Sequence, residues 1–129
     1  MAQILLIEPD KLLATNIQNY LRRYKHKVAV AANAQTGLTA ADQQSPELII
    51  MDWQLAGPSG LEFLHELRSY PDWLDIPVLV YSSMPPDRLG AATLEQLTIS
   101  RYLYKPTTSL AELVAAVDEI LQPIHVKAS

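Results

Sequence analysis

Three stretches constrain this chain more than any others: "ILLI" at Ile4–Ile7, "LIIM" at Leu48–Met51 and "PVLVY" at Pro77–Tyr81. Each is an apolar run with no polar alternation. A strand wet on one face alternates, so unbroken runs of this length read as short strands buried on both faces, as in the middle of a parallel sheet. Helical patterns separate them. Leu13, Ile17, Leu21 and Tyr24 recur at helical spacing between Asp10 and Tyr24, and a second helix is predicted over Ala34–Gln44, weakened by Gly37 and stopped by Ser45 and Pro46. "GPSG" at Gly57–Gly60 predicts a turn before a helix over Leu61–Ser69, a poorer helix is expected near Asp87–Gln96, and Ser109 with Glu112 opens a final helix ending near Gln122. "KVAVA" at Lys27–Ala31 and Arg101–Tyr104 supply two further strands.

The order is β-α repeated, without linker, low-complexity segment or internal repeat. Parallel strands need crossover connections, so this alternation predicts an α/β fold: one parallel sheet with helices on both faces. In such sheets ligands bind beyond the carboxyl ends of the strands. The polar residues gather there. Glu8 follows the first run, Asp52 the third strand, Ser82 ends the fourth and Lys105 follows the fifth, so folding is expected to bring all four to one edge.

Composition narrows the alternatives. A 129-residue chain with 49% hydrophobic residues forms one domain, residues 1–129, with its core from about residue 3 to 122 and a short C-terminal tail. A net charge of −4 with no run of like charges gives no reason to expect nucleic acid or a membrane as partner. No segment approaches a membrane span or a signal peptide and there is no cysteine, so the expected location is cytoplasmic. His26, His65 and His125 share no metal-ligand spacing, and no phosphate-binding glycine motif occurs. Trp53, beside Asp52, is read as covering part of a surface.

A carboxylate beside an ammonium, a hydroxyl and a second acid suits an aspartate that attacks phosphorus, with its partners offsetting charge on the phosphoryl oxygens. The stretches "ILLIEPD", "PELIIMDWQLAGPSGLEFLHELR", "IPVLVYSS" and "RYLYKP", in order and at family spacing, resemble the receiver domains of two-component response regulators from Gln3 to about Gln122. The resemblance implies a flavodoxin-like, doubly wound, three-layer (βα)5 fold with strand order 2-1-3-4-5. It implies Asp52 as phosphoacceptor, Lys105 as the phosphate-pairing lysine, Ser82 as switch hydroxyl and Tyr102 as switch aromatic. It also implies magnesium held by Glu8, Asp52 and the Gln54 backbone carbonyl, and a cis peptide between Lys105 and Pro106.

The family's two adjacent acids after the first strand are here Glu8 and Pro9, and a proline side chain offers no oxygen to a cation. Asp10, one residue late, is either a helix cap or a substitute metal ligand. Magnesium binding is therefore expected to be weakened or lost. The first functional reading is a phosphorelay receiver, not a turnover enzyme, that takes its phosphoryl group from a histidine kinase or phosphotransfer protein. Its downstream protein partner would meet the Asp87–Gln96 helix, the last strand and the final helix. The alternative is a phosphorylation-independent pseudo-receiver acting as an interaction module. A flavin-binding module has no support in the loops. Single-domain regulator and excised fragment fit the sequence equally.

Overall fold

Strands β1 (Gln3–Ile7), β3 (Leu48–Met51) and β4 (Val78–Ser82) are buried along their whole length apart from Gln3, as unalternated runs require. The computed structural model describes residues 2–55 and 59–122. With β2 (Lys27–Ala31) and β5 (Ile99–Tyr104) at the edges, these strands form one five-stranded parallel sheet in the order β2-β1-β3-β4-β5.

Alternate residues of the central strands feed two separate cores. Ile4, Leu6, Leu48, Ile50, Leu79 and Tyr81 pack under α1 (Lys11–Arg22) and α5 (Leu110–Leu121). Leu5, Ile7, Ile49, Met51, Val78 and Val80 pack under α2 (Ala34–Gln44) and α3 (Gly60–Leu67), with Leu97 at the end of α4 (Ala91–Gln96). Two-sided burial is thus why the strand runs contain no polar position.

Gly37 has a packing reason. A Cβ there would lie 2.7 Å from Ile7 Cδ1, so glycine lets α2 approach β1 closely. Four of the α-helices begin with a side-chain cap, those at Asp10 and Ser109 as the sequence predicts and those at Asn33 and Ser59 besides. Asp10 accepts from the Leu12 and Leu13 amides at 3.0 and 3.1 Å, and Ser109 and Glu112 cap each other's backbone at α5. Ser59 and Glu62 do the same at α3.

Some expectations are corrected. The single helix expected over Asp87–Gln96 is split into a 3-10 turn at Pro86–Arg88 and the six-residue α4. Gly90 separates them with φ of +82°, a left-handed conformation no continuous helix contains. The expected helix over Leu61–Ser69 instead spans Gly60–Leu67, and β5 begins two residues before the expected Arg101. The Lys105–Pro106 peptide is trans, since no peptide among the described residues is cis, and it lies in a 3-10 turn over Lys105–Thr107. Trans is the lower-energy isomer even before proline. The Gly57–Pro58 part of the predicted turn, His125 and the tail beyond Gln122 lie outside the described residues.

Candidate functional site

Strand register places the site. Ile7 is paired with Met51 and Met51 with Val80, so the residues that follow, Glu8 and Asp52, leave the sheet at one level. Asp52 is tied there by its own amide, which donates to the Ile7 carbonyl at 3.1 Å, and Glu8 by donation to the Ala31 carbonyl at 3.0 Å. Ser82 is paired with Tyr104, which delivers Lys105 to the same edge.

Lys105 joins the two acids. Its Nζ lies 2.6 Å from Asp52 Oδ2 and 2.9 Å from Glu8 Oε1. Both carboxylates are almost wholly buried, with Glu8 3% and Asp52 7% exposed, so the ammonium is their main source of neutralisation. Burial raises the Glu8 pKa above its ordinary value, and Asp52 pushes the same way, against the lowering effects of Lys105 and the Asp10 amide. For Lys105, burial pulls the pKa down, but hydrogen bonds to Asp52 and Glu8 outweigh it and the net direction is up.

The remaining valences are supplied locally. Asp52 Oδ1 accepts from the Gln54 amide at 3.0 Å, and Glu8 Oε2 accepts from the Asp10 amide at 3.1 Å. Ser82, fully buried at the end of β4, accepts the Met84 amide at 3.2 Å on its Oγ. Tyr102 is half-buried on β5 and donates its hydroxyl to the Met84 carbonyl at 2.6 Å. Burial raises its pKa, with Ser82 acting in the opposite direction. Ser82 and Tyr102 therefore hold the same residue, Met84, from opposite backbone groups.

Sequence reasoning missed Tyr81. Its ring lies 5.7 Å from Lys105 Nζ and its hydroxyl donates to the Thr108 carbonyl at 3.2 Å, so it supports the lysine from below and pins the segment that follows it. The available signal was a tyrosine immediately before Ser82 in an otherwise aliphatic strand. Trp53 packs on the α3 side, where a Cβ on Gly60 would lie 2.7 Å from the Trp53 carbonyl oxygen.

The donor set meets the minimum for magnesium, which takes one or two carboxylates and completes its shell with water or phosphate. Glu8 and Asp52 could supply those carboxylates, and Lys105 occupies one oxygen of each. Pro9 adds no donor. Asp10 is exposed, with one oxygen engaged in capping α1, and no cluster of three or more acidic, histidine or cysteine side chains forms a metal cage among the described residues.

A five-stranded parallel sheet with a buried aspartate, acid, lysine and serine at its carboxyl edge defines a class, and comparison names it. The response regulator receiver domain family matches residues 4–118. The chain belongs to that family. The transcriptional activator protein PfeR of Pseudomonas aeruginosa is 32% identical over 125 residues, which are 95% of this chain and 39% of PfeR. The chain thus spans well under two thirds of that relative. Among solved structures, the chemotaxis response regulator CheY4 of Vibrio cholerae superposes with a TM-score of 0.85 over 94% of this chain and 99% of its own, at 20% identity, a likeness of fold. The receiver domain of sensor histidine kinase PA1611 from P. aeruginosa, with magnesium coordinated in its active site cleft, has a TM-score of 0.78 and 25% identity over 92% of this chain and 95% of its own.

Proposed function

We propose that this receiver accepts a phosphoryl group on Asp52 from the phosphohistidine of a kinase or phosphotransfer protein and uses it to change conformation. The observation that carries the reading is the bridge from Lys105 Nζ to Asp52 and Glu8, at 2.6 and 2.9 Å, at the open edge of the sheet. In the transfer the phosphorus–oxygen bond to Asp52 forms as the phosphorus–nitrogen bond breaks, and the donor imidazole leaves with a proton. Lys105 is placed to exchange its contact with Asp52 for one with a phosphoryl oxygen. The Ser82 hydroxyl, an acceptor toward Met84, still has its own proton to donate to that group. Such donation would pull on Met84, and through it on Tyr102 and the β4–α4 connection. The downstream partner surface is then the turn at Pro86–Arg88, α4, β5 and the facing part of α5.

Magnesium, when bound, would be held by Glu8, Asp52 and the Gln54 carbonyl and would neutralise phosphoryl charge. Its affinity is lower than in a receiver with both acids, because Pro9 removes one of few charged donors. Asp10 does not compensate while its carboxylate caps α1.

Pro9 in the place of an acid, with Asp10 engaged in capping α1, favours a second reading, a pseudo-receiver that keeps the fold and signals by contact alone. Incubation with a small phosphodonor and magnesium, followed by intact mass, separates the two. Gain of one phosphoryl group by the native chain and none by Asp52→Asn supports the first reading. No gain, restored by Pro9→Asp, assigns the second. A magnesium titration followed by Trp53 fluorescence is expected to be tighter for Pro9→Asp, and equal affinities would refute the role given to Pro9.

A further inference from the structure

Although the net charge is only −4, the charges of the chain are segregated in space. Between Lys27 and Arg88 the sequence contains a single basic residue of the lysine or arginine type, Arg68. That residue is turned inward, its guanidinium donating to backbone carbonyls including those of Trp73, Ile76 and Leu97. The face formed by α2 and α3 consequently presents acids with no lysine or arginine to offset them. Two adjoining depressions that share Leu38 run along it, one walled by Asp42, Asp72, Tyr70 and Trp73, the other by Glu62, Glu66 and Phe63. No lysine or arginine lines either among the described residues. Tyr70 and Leu74, 45% and 50% exposed, add an apolar ledge at the lower end.

The complementary surface is on the same molecule. The turn from α1 into β2 carries Arg22, Arg23, Lys25 and Lys27, all exposed, around Tyr24, which is 50% exposed. No acidic side chain forms an ion pair with any of these four among the described residues, the ion pairs of the chain being elsewhere.

We infer that the acidic α2–α3 groove docks the basic α1–β2 corner of a second copy of this chain, with Tyr24 of that copy against the Tyr70 and Leu74 ledge. The two surfaces differ, so the contact is heterologous, and each copy offers one donor corner and one acceptor groove. Charge complementarity of this kind sets orientation and encounter, while the aromatic contact supplies the dehydrated centre. Exposed ion pairs are weak and screened, so the association is a salt-sensitive equilibrium rather than an obligate dimer. It does not involve Asp52 and holds in either functional reading.

Sedimentation velocity of the full chain, from micromolar to millimolar concentration, tests it. The mean sedimentation coefficient should rise with concentration at low salt, and the association constant should fall by roughly tenfold or more when salt screens the charges to within a few ångström. Asp42→Lys/Asp72→Lys removes the groove and Arg22→Glu/Lys27→Glu removes the corner, and each variant should remain monomeric alone. These positions are exposed, and thermal melting checks that both variants fold. Mixed one to one, they should associate, since one keeps an intact corner and the other an intact groove. A native chain that stays monomeric throughout, a corner variant that associates like the native chain, or a folded mixture that does not associate would each overturn the inference. A monomeric native chain that nonetheless binds octa-arginine in the groove would assign the groove to a basic segment of another protein.

Discussion

The two halves of the sheet hold the same site in different ways. On the β1–β3 side, both strands are buried almost throughout, Glu8 and Asp52 follow them directly, and α2 lies so close that a Cβ at Gly37 would stand 2.7 Å from Ile7 Cδ1. On the β4–β5 side β4 is buried, but β5 has no fully buried residue and α4 is six residues long without one. Burial fixes the first half. In the second, burial holds β4, but β5 and the connection through α4 are fastened largely by polar contacts, those of Arg68 and Met84 among them, and segments secured in that way open at lower cost. A fixed part that carries the acids and Ser82, beside a more lightly held part that carries Tyr102 and Lys105, is the division the proposed switch would use.

The strongest way to break that contrast is Arg68→Ala. Arg68 follows α3 and donates to the carbonyls of Trp73, Leu74, Ile76, Leu97 and Thr98 at 2.8–3.2 Å, joining the entry to β4 with the entry to β5. Its removal leaves several partly buried carbonyls unpaired and should cost about 2–4 kcal/mol in urea unfolding. Arg68→Lys should recover little of that loss, because one ammonium cannot span that fork of acceptors. If Arg68→Ala lost less than a surface substitution does, the second half would need another fastening.

Lys105→Met tests the joint between the halves. It leaves two buried carboxylates facing each other, and the cost at neutral pH should be about 2 kcal/mol, below the ~3–5 of a fully buried broken pair because Lys105 is partly exposed. The pH dependence has a definite sign. Glu8 has a raised pKa, so the folded state binds its proton more readily than the unfolded chain, and stability falls as pH rises from the ordinary carboxylate value through the folded one. Without Lys105 that window extends upward, so the deficit of the variant should shrink in acid and open toward neutrality. Lys105 itself has a raised pKa, so the native chain should lose its contribution as pH climbs past the ordinary lysine range, a loss the variant lacks. Thermal melts across pH and a carboxyl-carbon titration of Glu8 measure both.

Gly60→Ala probes the fixed half. The added methyl would meet the Trp53 backbone oxygen at 2.7 Å, and backbone yields less readily than a side-chain end. Gly37→Ala meets side-chain atoms alone, Ile7 Cδ1 at 2.7 Å and Cγ1 at 3.2 Å, which can yield, and alanine improves the helix. Overpacking should therefore cost Gly60→Ala about 1–3 kcal/mol and Gly37→Ala less, by urea unfolding.

Much of this was readable beforehand because it depends on local signals. Strands buried on both faces have no polar position, and a carboxylate directly after one is pointed at the sheet edge, so Glu8, Asp52, Ser82 and Lys105 could be placed together without coordinates. The cap at Asp10 and the box at Ser109 have the same local character. What could not be read depends on contacts between distant segments or on backbone sign. Arg68 looks like an ordinary charged residue after an amphipathic helix, and nothing near it in sequence announces its acceptors around β4 and β5. The break at Gly90 required knowing that the glycine uses its left-handed freedom, where the periodicity alone ran the helix through it. The acidic face was hidden because its members are spread over α2, α3 and the following turn, and become neighbours only when the helices pack side by side.

The smallest expected effect lies at Gly90 and sharpens the contrast most. Its φ of +82° strains any other residue, yet a Cβ there would meet nothing within 4 Å, so Gly90→Ala isolates backbone conformation from packing. The cost should be about 1 kcal/mol. Because α4 contributes no buried residue, that strain should be relieved locally: amide exchange should quicken from Pro86 to Leu97 while β1 and β3 keep their protection. Exchange that instead rises evenly across the sheet would mean that the two halves unfold as one, and that the loosely held part is not an independent element.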